Sequence, residues 1–311
     1  VPLHRLDRII ILAHVGMSSG FASACIARGI PVTFVVGKGR AFGSLSSGSL
    51  PNPLRLRAQY DLVAQREARV ELARAIVAAK IDAMLRRLKN VTMASEIRAD
   101  LAAYRANLTD HASPESLRGV EGVATKRYFE GFAARISQEA FAFRGRSRRP
   151  PRDPINSLLS FAYTLVFSEM QSALLAHGLD PHPALLHDLH RNHPALASDL
   201  VEPYRVLVAD SFVLTLVNQR RVTAEGFETH PSGAVFMDHA TRHTVLEAFE
   251  SFMVAPLGGA RGSASPRRLI DAASSAMLRV VLGEDQVLQL PLGGSELENP
   301  TAPPLSEPAV P

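Results

Sequence analysis

Two stretches of this 311-residue chain place carboxylates and imidazoles where packing alone does not account for them. The first is RGVEGVATKRYF, where Glu121 lies between Gly119 and Gly122 on a helix-patterned segment that is apolar at Val120, Val123 and Phe129. A lone Glu there would otherwise be a solvated face residue. Lys126 and Arg127, one turn further on, carry the charge that holds a phosphate. The second is GLDPHPALLHDLHRNHPALASDLVEPYR, which gathers His182, His187, His190 and His193 ahead of Asp199 and Glu202. Asp199 and Glu202 are three apart on a helix, so they share a face and can reach one cation or one nucleophilic water. Carboxylate oxygens with one imidazole suit a hard divalent ion, Mg2+ or Mn2+, and phosphodiester chemistry; Zn2+ would draw in more His or Cys.

Charge is divided unevenly along the chain. Residues 1–152 hold 25 Lys+Arg against 12 Asp+Glu, while residues 153–311 hold 9 against 18. The first part therefore suits a polyanion such as nucleic acid, and the second holds the carboxylates that a catalytic ion needs. The densest basic cluster is FRGRSRRPPR, with Arg144, Arg146, Arg148, Arg149 and Arg152 around two prolines, and it reads as an exposed loop. The single cysteine, Cys25, excludes a disulfide framework or a cysteine-based zinc site, reads as a small core residue, and fits a reducing, cytoplasmic location. GKGR, Gly37 to Arg40, is too short for a phosphate-binding P-loop and reads as a turn.

Positioning these groups requires an α+β protein: a small N-terminal β module, residues 1–52, followed by a larger all-α helical domain, 53–292, and a Pro-, Ser- and Glu-rich disordered tail, 293–311. The runs RIIILAHV, IPVTFVVG and AFGSLS are strand-like, with a short helix over SSGFASACIARG. From Pro53 the texture becomes helical. One long run over LRLRAQYDLVAQREARVELARAIVAAKIDAMLRRLKN has Ile76, Val77, the Lys80 stem, Ile81 and Met84 at three-to-four spacing. Further helices are expected over MASEIRADLAAYRANL, the Glu121 segment, DPINSLLSFAYTLVFSEMQSALLAHG, DLVEPYRVLVADSFVLTLVN, HATRHTVLEAFESFM and SPRRLIDAASSAMLRVVLG, with GAVFMD as a short strand. The longest apolar run, Leu158 to Phe167, is about half of the roughly 20 residues a membrane-spanning helix needs, so no membrane association is expected.

Several of these segments, in order, resemble one family, the CRISPR-associated integrase-endonucleases known as "Cas one". GVEGVATKRYF is similar to its helix with a Glu between small residues before a Tyr-Phe pair; GLDPHPALLHDLH to its Gly-Leu-Asp-Pro segment ending in Leu-His; and DLVEPYRVLVAD to its acidic helix. DPINSLLSFAYTLV, with Asn156, Ser160 and Tyr163, resembles its Asn-x-Leu-Leu-Ser-x-x-Tyr helix. The similarity departs at Ala83–Met84, where the family has Asn-Gln, and the chain starts where the family's β domain already has several strands, as in an N-terminally shortened protein or a piece of a fusion. The resemblance implies that Glu121, His187 and Glu202 ligate a divalent ion with Asp199 in support; the clustering of positive charge, in turn, points to Lys126, Arg127, Arg144, Arg146, Arg148 and Arg149 as the residues that hold DNA. The resemblance also implies the reaction, attack of a 3′-hydroxyl on a phosphodiester at the boundary of a CRISPR repeat. The partners it implies are double-stranded DNA (protospacer and repeat), a second copy of the chain in a homodimer, and the small bridging "Cas two" protein. His190 and His193 have no counterpart and read as surface histidines.

Two other readings stay open. His187-Asp188 is the dipeptide of helical His-Asp metal phosphohydrolases, for which His111 and Asp210 would have to complete the site. Alternatively, the basic half holds DNA as a non-catalytic scaffold while the carboxylates cap helices.

Overall fold

The computed structural model describes residues 52–188, 193–257 and 263–293 throughout, with residues 2, 3, 6, 9–12, 16–30, 32–36 and 40–45 of the N-terminal part. The Gly37–Gly39 stretch, His190 and all but the first residue of the 293–311 tail lie outside these residues.

Strand β1 (Ile9–Leu12) pairs in parallel with β2 (Val32–Val36), and β2 pairs antiparallel with β3 (Arg40–Leu45), giving the order β1-β2-β3. A parallel pair needs a crossover. It is supplied by α1 (Ser19–Ala27), capped by the Ser18 hydroxyl and closed at Gly29, whose φ of +65 is costly for a residue with a Cβ. Cys25, Ile30 and Val32 form a small core of their own there, as expected for the cysteine.

The helical domain has its own core. The long run after Pro53 is two helices, α2 (Pro53–Ala64) and α3 (Arg66–Leu88), because Gln65 is extended at φ −77, ψ 111. No Gly or Pro marks that break. Helices α4 (Ser95–Ala106), α5 (Pro114–Ala133) and α6 (Pro154–Ala176) follow. Both α5 and α6 begin with a capping side chain before proline: Ser113 Oγ accepts from the Ser116 N–H and Asp153 Oδ1 from the Asn156 N–H. The stretch read as one helix over DLVEPYRVLVADSFVLTLVN is broken into α7 (Ala195–Leu200), α8 (Glu202–Tyr204), a wide π-helical turn over Arg205–Asp210, and α9 (Ser211–Asn218). The domain is not wholly α. Strands β4 (Phe227–Thr229) and β5 (Val235–Met237) form a ribbon before α10 (His239–Val254) and α11 (Pro266–Val281).

Helix α3 is central, packed by α4, α5, α8 and the π turn. Helix α6 is longer and more apolar than the Leu158–Phe167 run suggests, enough to cross a membrane by length and composition. It is nevertheless a core helix here, packed by α7, α9, α11 and the π turn, with Asn156, Ser168 and Glu169 buried along it. The first half of the arginine loop is tied down. Phe143 packs edge-on against Phe132, and Asn156 bonds the Gly145 carbonyl and the Ser147 N–H.

Gly131 sets the approach of α5 to α3 and α4: a Cβ there would lie 3.0 Å from Leu88 Cδ1 and 3.3 Å from Ile97 Cδ1. A Gly131→Val variant is expected to lose about 1–3 kcal/mol through overpacking, read as a lowered urea midpoint at unchanged slope. An unchanged midpoint would show that α5 can move outward freely.

Candidate active site

Glu121 sits two turns into α5, Glu202 opens α8, and between them comes Lys80 from α3. The Lys80 ammonium bonds Glu121 Oε1 and, at 2.5 Å, Glu202 Oε2. All three are withdrawn from solvent, with side chains 4% (Lys80), 5% (Glu202) and 18% (Glu121) exposed. Thr125 Oγ1 donates to Glu121 Oε1 at 2.8 Å from the next turn of α5. Arg205, in the π turn, approaches Glu202 Oε1 at 3.3 Å. Burial alone would raise the Glu202 carboxyl, but Arg205 and Lys80 outweigh it and hold the group well below the usual carboxylate range. Burial likewise opposes the charge on Lys80, and Glu202 and Glu121 reverse that, keeping the ammonium charged.

His187 is held by Asp199. Asp199 is fully buried near the C-terminal end of α7, where Oδ2 accepts from the Leu185 and Leu186 N–H groups at 2.7 and 2.9 Å, and Oδ1 accepts from the His187 N–H at 3.1 Å and meets His187 Nδ1 at 2.5 Å. From the other side Arg69 of α3 donates to the Leu185 and His187 carbonyls. The loop is therefore fixed from both sides, and Nε2 is the ring nitrogen left for a ligand. The Asp199 hydrogen bond raises the His187 pKa against burial, and the charges of Asp199 and Glu202 add to it.

Glu121 and Glu202 thus meet at one cationic point, with His187 near enough to Glu202 for each to affect the other's ionisation. Among the described residues no three carboxylate or imidazole groups form a ready ligand shell, because Lys80 closes the carboxylate pair. The donor set nonetheless fits a hard divalent ion: two carboxylates of different helices aimed at one positive charge, with one oriented imidazole beside them.

A second buried centre adjoins this one. Asp210, at the end of the π turn, accepts from Tyr128 and Tyr163 hydroxyls at 2.9 and 2.8 Å. Arg146 and Arg205 stack over the Tyr163 ring, 5.1 and 5.4 Å from its centroid. A small cleft lined by Lys80, Thr125, Tyr128, Tyr163, Arg148, Arg205 and Asp210 joins the two centres.

The remaining candidates divide. Lys126, Arg144, Arg148 and Arg149 are exposed. Arg127 is committed to carboxylates, with Nε 2.6 Å from Asp100, Nη1 on Glu130 and Nη2 3.5 Å from Glu96. Arg146 is committed to Asn156 at 2.7 Å and Ser160 at 3.0 Å. His182 pairs with Asp180 and His193 with Ser198. Of the His-Asp alternative, Asp188 pairs with Arg118 at 2.5 Å and Asp210 with the two tyrosines, so each aspartate is already engaged away from His187. Lys80, Arg205 and Asp210 are the residues that sequence patterning misses. For Lys80 a signal exists: a lysine inside the apolar stripe of Ile76, Val77, Ile81 and Met84.

The chain is thus an α+β protein with a carboxylate–imidazole centre in a helical domain behind a small β module, and comparison with known proteins assigns its family. The family model for CRISPR associated protein Cas1 matches residues 1–251. The chain is 34% identical over 267 residues to CRISPR-associated endonuclease Cas1 1 of Chlorobaculum tepidum, covering 80% of this chain and 76% of that one. It is 39% identical over 230 residues to CRISPR-associated endonuclease Cas1 3 of Thermus thermophilus, covering 73% and 68%. Among solved structures, a Cas1 protein from Thermotoga maritima superposes with a TM-score of 0.80 at 24% identity over 93% of this chain and 90% of that one. A casposase bound to integration product gives 0.78 at 19%, over 92% and 93%, and a Cas6-RT-Cas1–Cas2 complex 0.78 at 22%, over 93% and 32%. The chain belongs to the Cas1 family.

Asp210 gives this centre a measurable pH signature. Burial raises its pKa from the ordinary 3.8 to about 6, against the two tyrosine hydrogen bonds that lower it. Between those values the folded chain holds a proton that the unfolded chain has released, so stability falls as pH rises from about 4 to about 6, by on the order of 3 kcal/mol, and this contribution is then constant. In Asp210→Asn that decline should vanish, as followed by urea midpoints across the range. Parallel profiles for the two proteins would place the titration elsewhere.

Proposed function

We propose that the chain is a divalent-metal-dependent DNA endonuclease and integrase of CRISPR spacer acquisition, joining the 3′-hydroxyl of a captured fragment to a phosphodiester at the repeat boundary. The observation that carries this is the meeting of Glu121 and Glu202, from separate helices, at one cationic point beside an imidazole fixed by Asp199. Membership of a family whose relatives are named endonucleases, and the fold shared with a casposase bound to integration product, support the same reading.

Glu121, Glu202 and His187 would hold Mg2+ or Mn2+, which supplies positive charge where the phosphoryl oxygens gain negative charge in the transition state. The chain's own residues do the positioning. Asp199 fixes the His187 tautomer and ring, with Nδ1 on the carboxylate and Nε2 outward. Arg205 keeps Glu202 ionised and aligned from behind. The exposed Lys126, Arg144, Arg148 and Arg149 supply backbone affinity for double-stranded DNA, since bare carboxylates repel phosphates. A homodimer, the small Cas2 partner and a cytoplasmic location complete the reading; relatives of the same fold are present in a Cas1–Cas2 complex.

Replacing Glu121, His187 or Glu202 by Ala should each abolish strand transfer into a supercoiled plasmid bearing a CRISPR repeat, assayed with the bridging partner and Mg2+ or Mn2+ at a temperature where circular dichroism shows the variant to be folded. Retained transfer by the His187→Ala protein would sink the assignment.

The DNA path is tested separately. Changing Arg144, Arg148 and Arg149 together to Gln should reduce the slope of log affinity against log salt by roughly 2–3, about one per lost phosphate contact. Measured in chelator, an unchanged slope would place the duplex on another face.

A further inference from the structure

Lys80 has a role in this site that its family membership does not assign. It is one of only four lysines, with Lys38, Lys89 and Lys126, in a chain whose remaining basic side chains are arginines. Lys89 and Lys126 are exposed, whereas Lys80 is buried at 3%. Burying an ammonium costs several kcal/mol unless anions surround it, and here one nitrogen serves both Glu121 and Glu202. Arginine would not substitute. Its planar fork pairs with a single carboxylate edge-on, whereas an ammonium is a compact point charge that fits between two acids. Without a cation at that point the two carboxylates, drawn to within hydrogen-bond reach of one atom, would repel each other.

We propose that Lys80 is the resident counter-ion of the carboxylate pair: it occupies the point that a divalent ion takes, the ion enters by exchange with it, and Lys80 thereby sets the metal affinity. This rests on the reading of Glu121, His187 and Glu202 as metal ligands. The displaced ammonium has somewhere to go. The stem borders the cleft whose wall includes Tyr128, Tyr163 and Asp210, and the Asp210 carboxylate retains lone pairs beyond the two that the tyrosines engage. An ammonium moved there stays paired with an anion while the ion takes its former place. Lys80 is a positioning residue in this scheme: it neutralises the two acids in the metal-free chain and competes with the ion for the point between them.

The experiment titrates Mn2+ into the full chain and into Lys80→Met by calorimetry, with melting curves of the metal-free and loaded forms. Removing the competitor should tighten Mn2+ binding by about 10-fold or more, lower the melting temperature of the metal-free form, and widen the rise on loading. Independently, the wild-type chain is labelled with 15N-lysine. The Lys80 ammonium, shielded by two carboxylates, should give a slowly exchanging 1H–15N signal that disappears or shifts as Mg2+ saturates the site. That second measurement decides the matter if Lys80→Met does not fold. Equal Mn2+ affinity in both proteins, or a Lys80 signal unmoved at saturating Mg2+, overturns the exchange while leaving the metal site standing. Absence of Mn2+ and Mg2+ binding by the wild-type chain overturns the metal-site reading and the exchange with it.

Discussion

A buried ammonium between two buried carboxylates is the interaction on which the rest of this structure depends. Lys80 comes from α3, Glu121 from α5 and Glu202 from α8, and each charge is tolerable only while the others are in place. Taking any one away leaves an uncompensated charge in a core that includes Ile76, Val77, Ile81, Met84, Tyr128 and Phe132. Packing and polar centre therefore specify each other. Apolar burial brings α3 against α5 and α8, and ion pairing selects the register in which Lys80 faces the two glutamates rather than a turn above or below them.

The π turn extends this constraint into a second layer. A regular helix from Glu202 onward would keep neighbours at three and four residues on one face. Arg205 keeps that spacing to Glu202, three residues back, and lies over the Tyr163 ring, while at the far end of the wider turn over Arg205–Asp210 the Asp210 carboxylate meets Tyr128 and Tyr163. Tyr163 belongs to α6 and Tyr128 to α5, so Asp210 binds together the two helices that flank the site. One irregular turn thus links a centre of four charges to a centre of one acid and two phenols, and the cleft between them is the common wall.

Much of this was legible beforehand, and the reasons are specific. The acidic and imidazole residues stood out because Glu121 interrupts an apolar pattern with glycines on both sides, and because Asp199 and Glu202 repeat at helical spacing behind a histidine-rich loop. The start of α6 is legible because its segment opens on Asp153, whose side chain caps it; α5 instead begins at Pro114 on the Ser113 cap, ahead of the RGVEGV segment whose pattern marks it as helical. The break at Gln65 was not legible, since Gln carries no turn signal and the extended conformation there is imposed by the packing of α2 and α3. Nor was the π turn, because RVLVAD has the composition of an ordinary buried helix. The spacing accounts only for the aliphatic stem of Lys80 within an apolar stripe and says nothing of where its ammonium goes. Its burial depends on partners distant in sequence, which spacing along one helix cannot reveal.

The same distinction sorts the arginines. A basic half and an arginine-rich loop suggest a uniform field for a polyanion, yet the side chains perform two kinds of task. Arg69, Arg127, Arg146 and Arg205 spend their donors inside the protein, on the His187 loop, on Asp100 and Glu130, on Asn156 and Ser160, and on Glu202. Such groups are pre-organised and have fewer donors to offer a phosphate backbone, because those donors are already engaged within the protein. Arg144, Arg148 and Arg149 remain exposed on a loop anchored by Phe143 and Asn156, and Arg148 also lines the cleft that opens onto Lys80. Arg148 thereby stands beside Lys80 on a loop held by Phe143 and Asn156. In the proposed function this basic rim holds the phosphodiester next to the carboxylate pair, and net charge counted along the chain does not distinguish the rim from the arginines behind it.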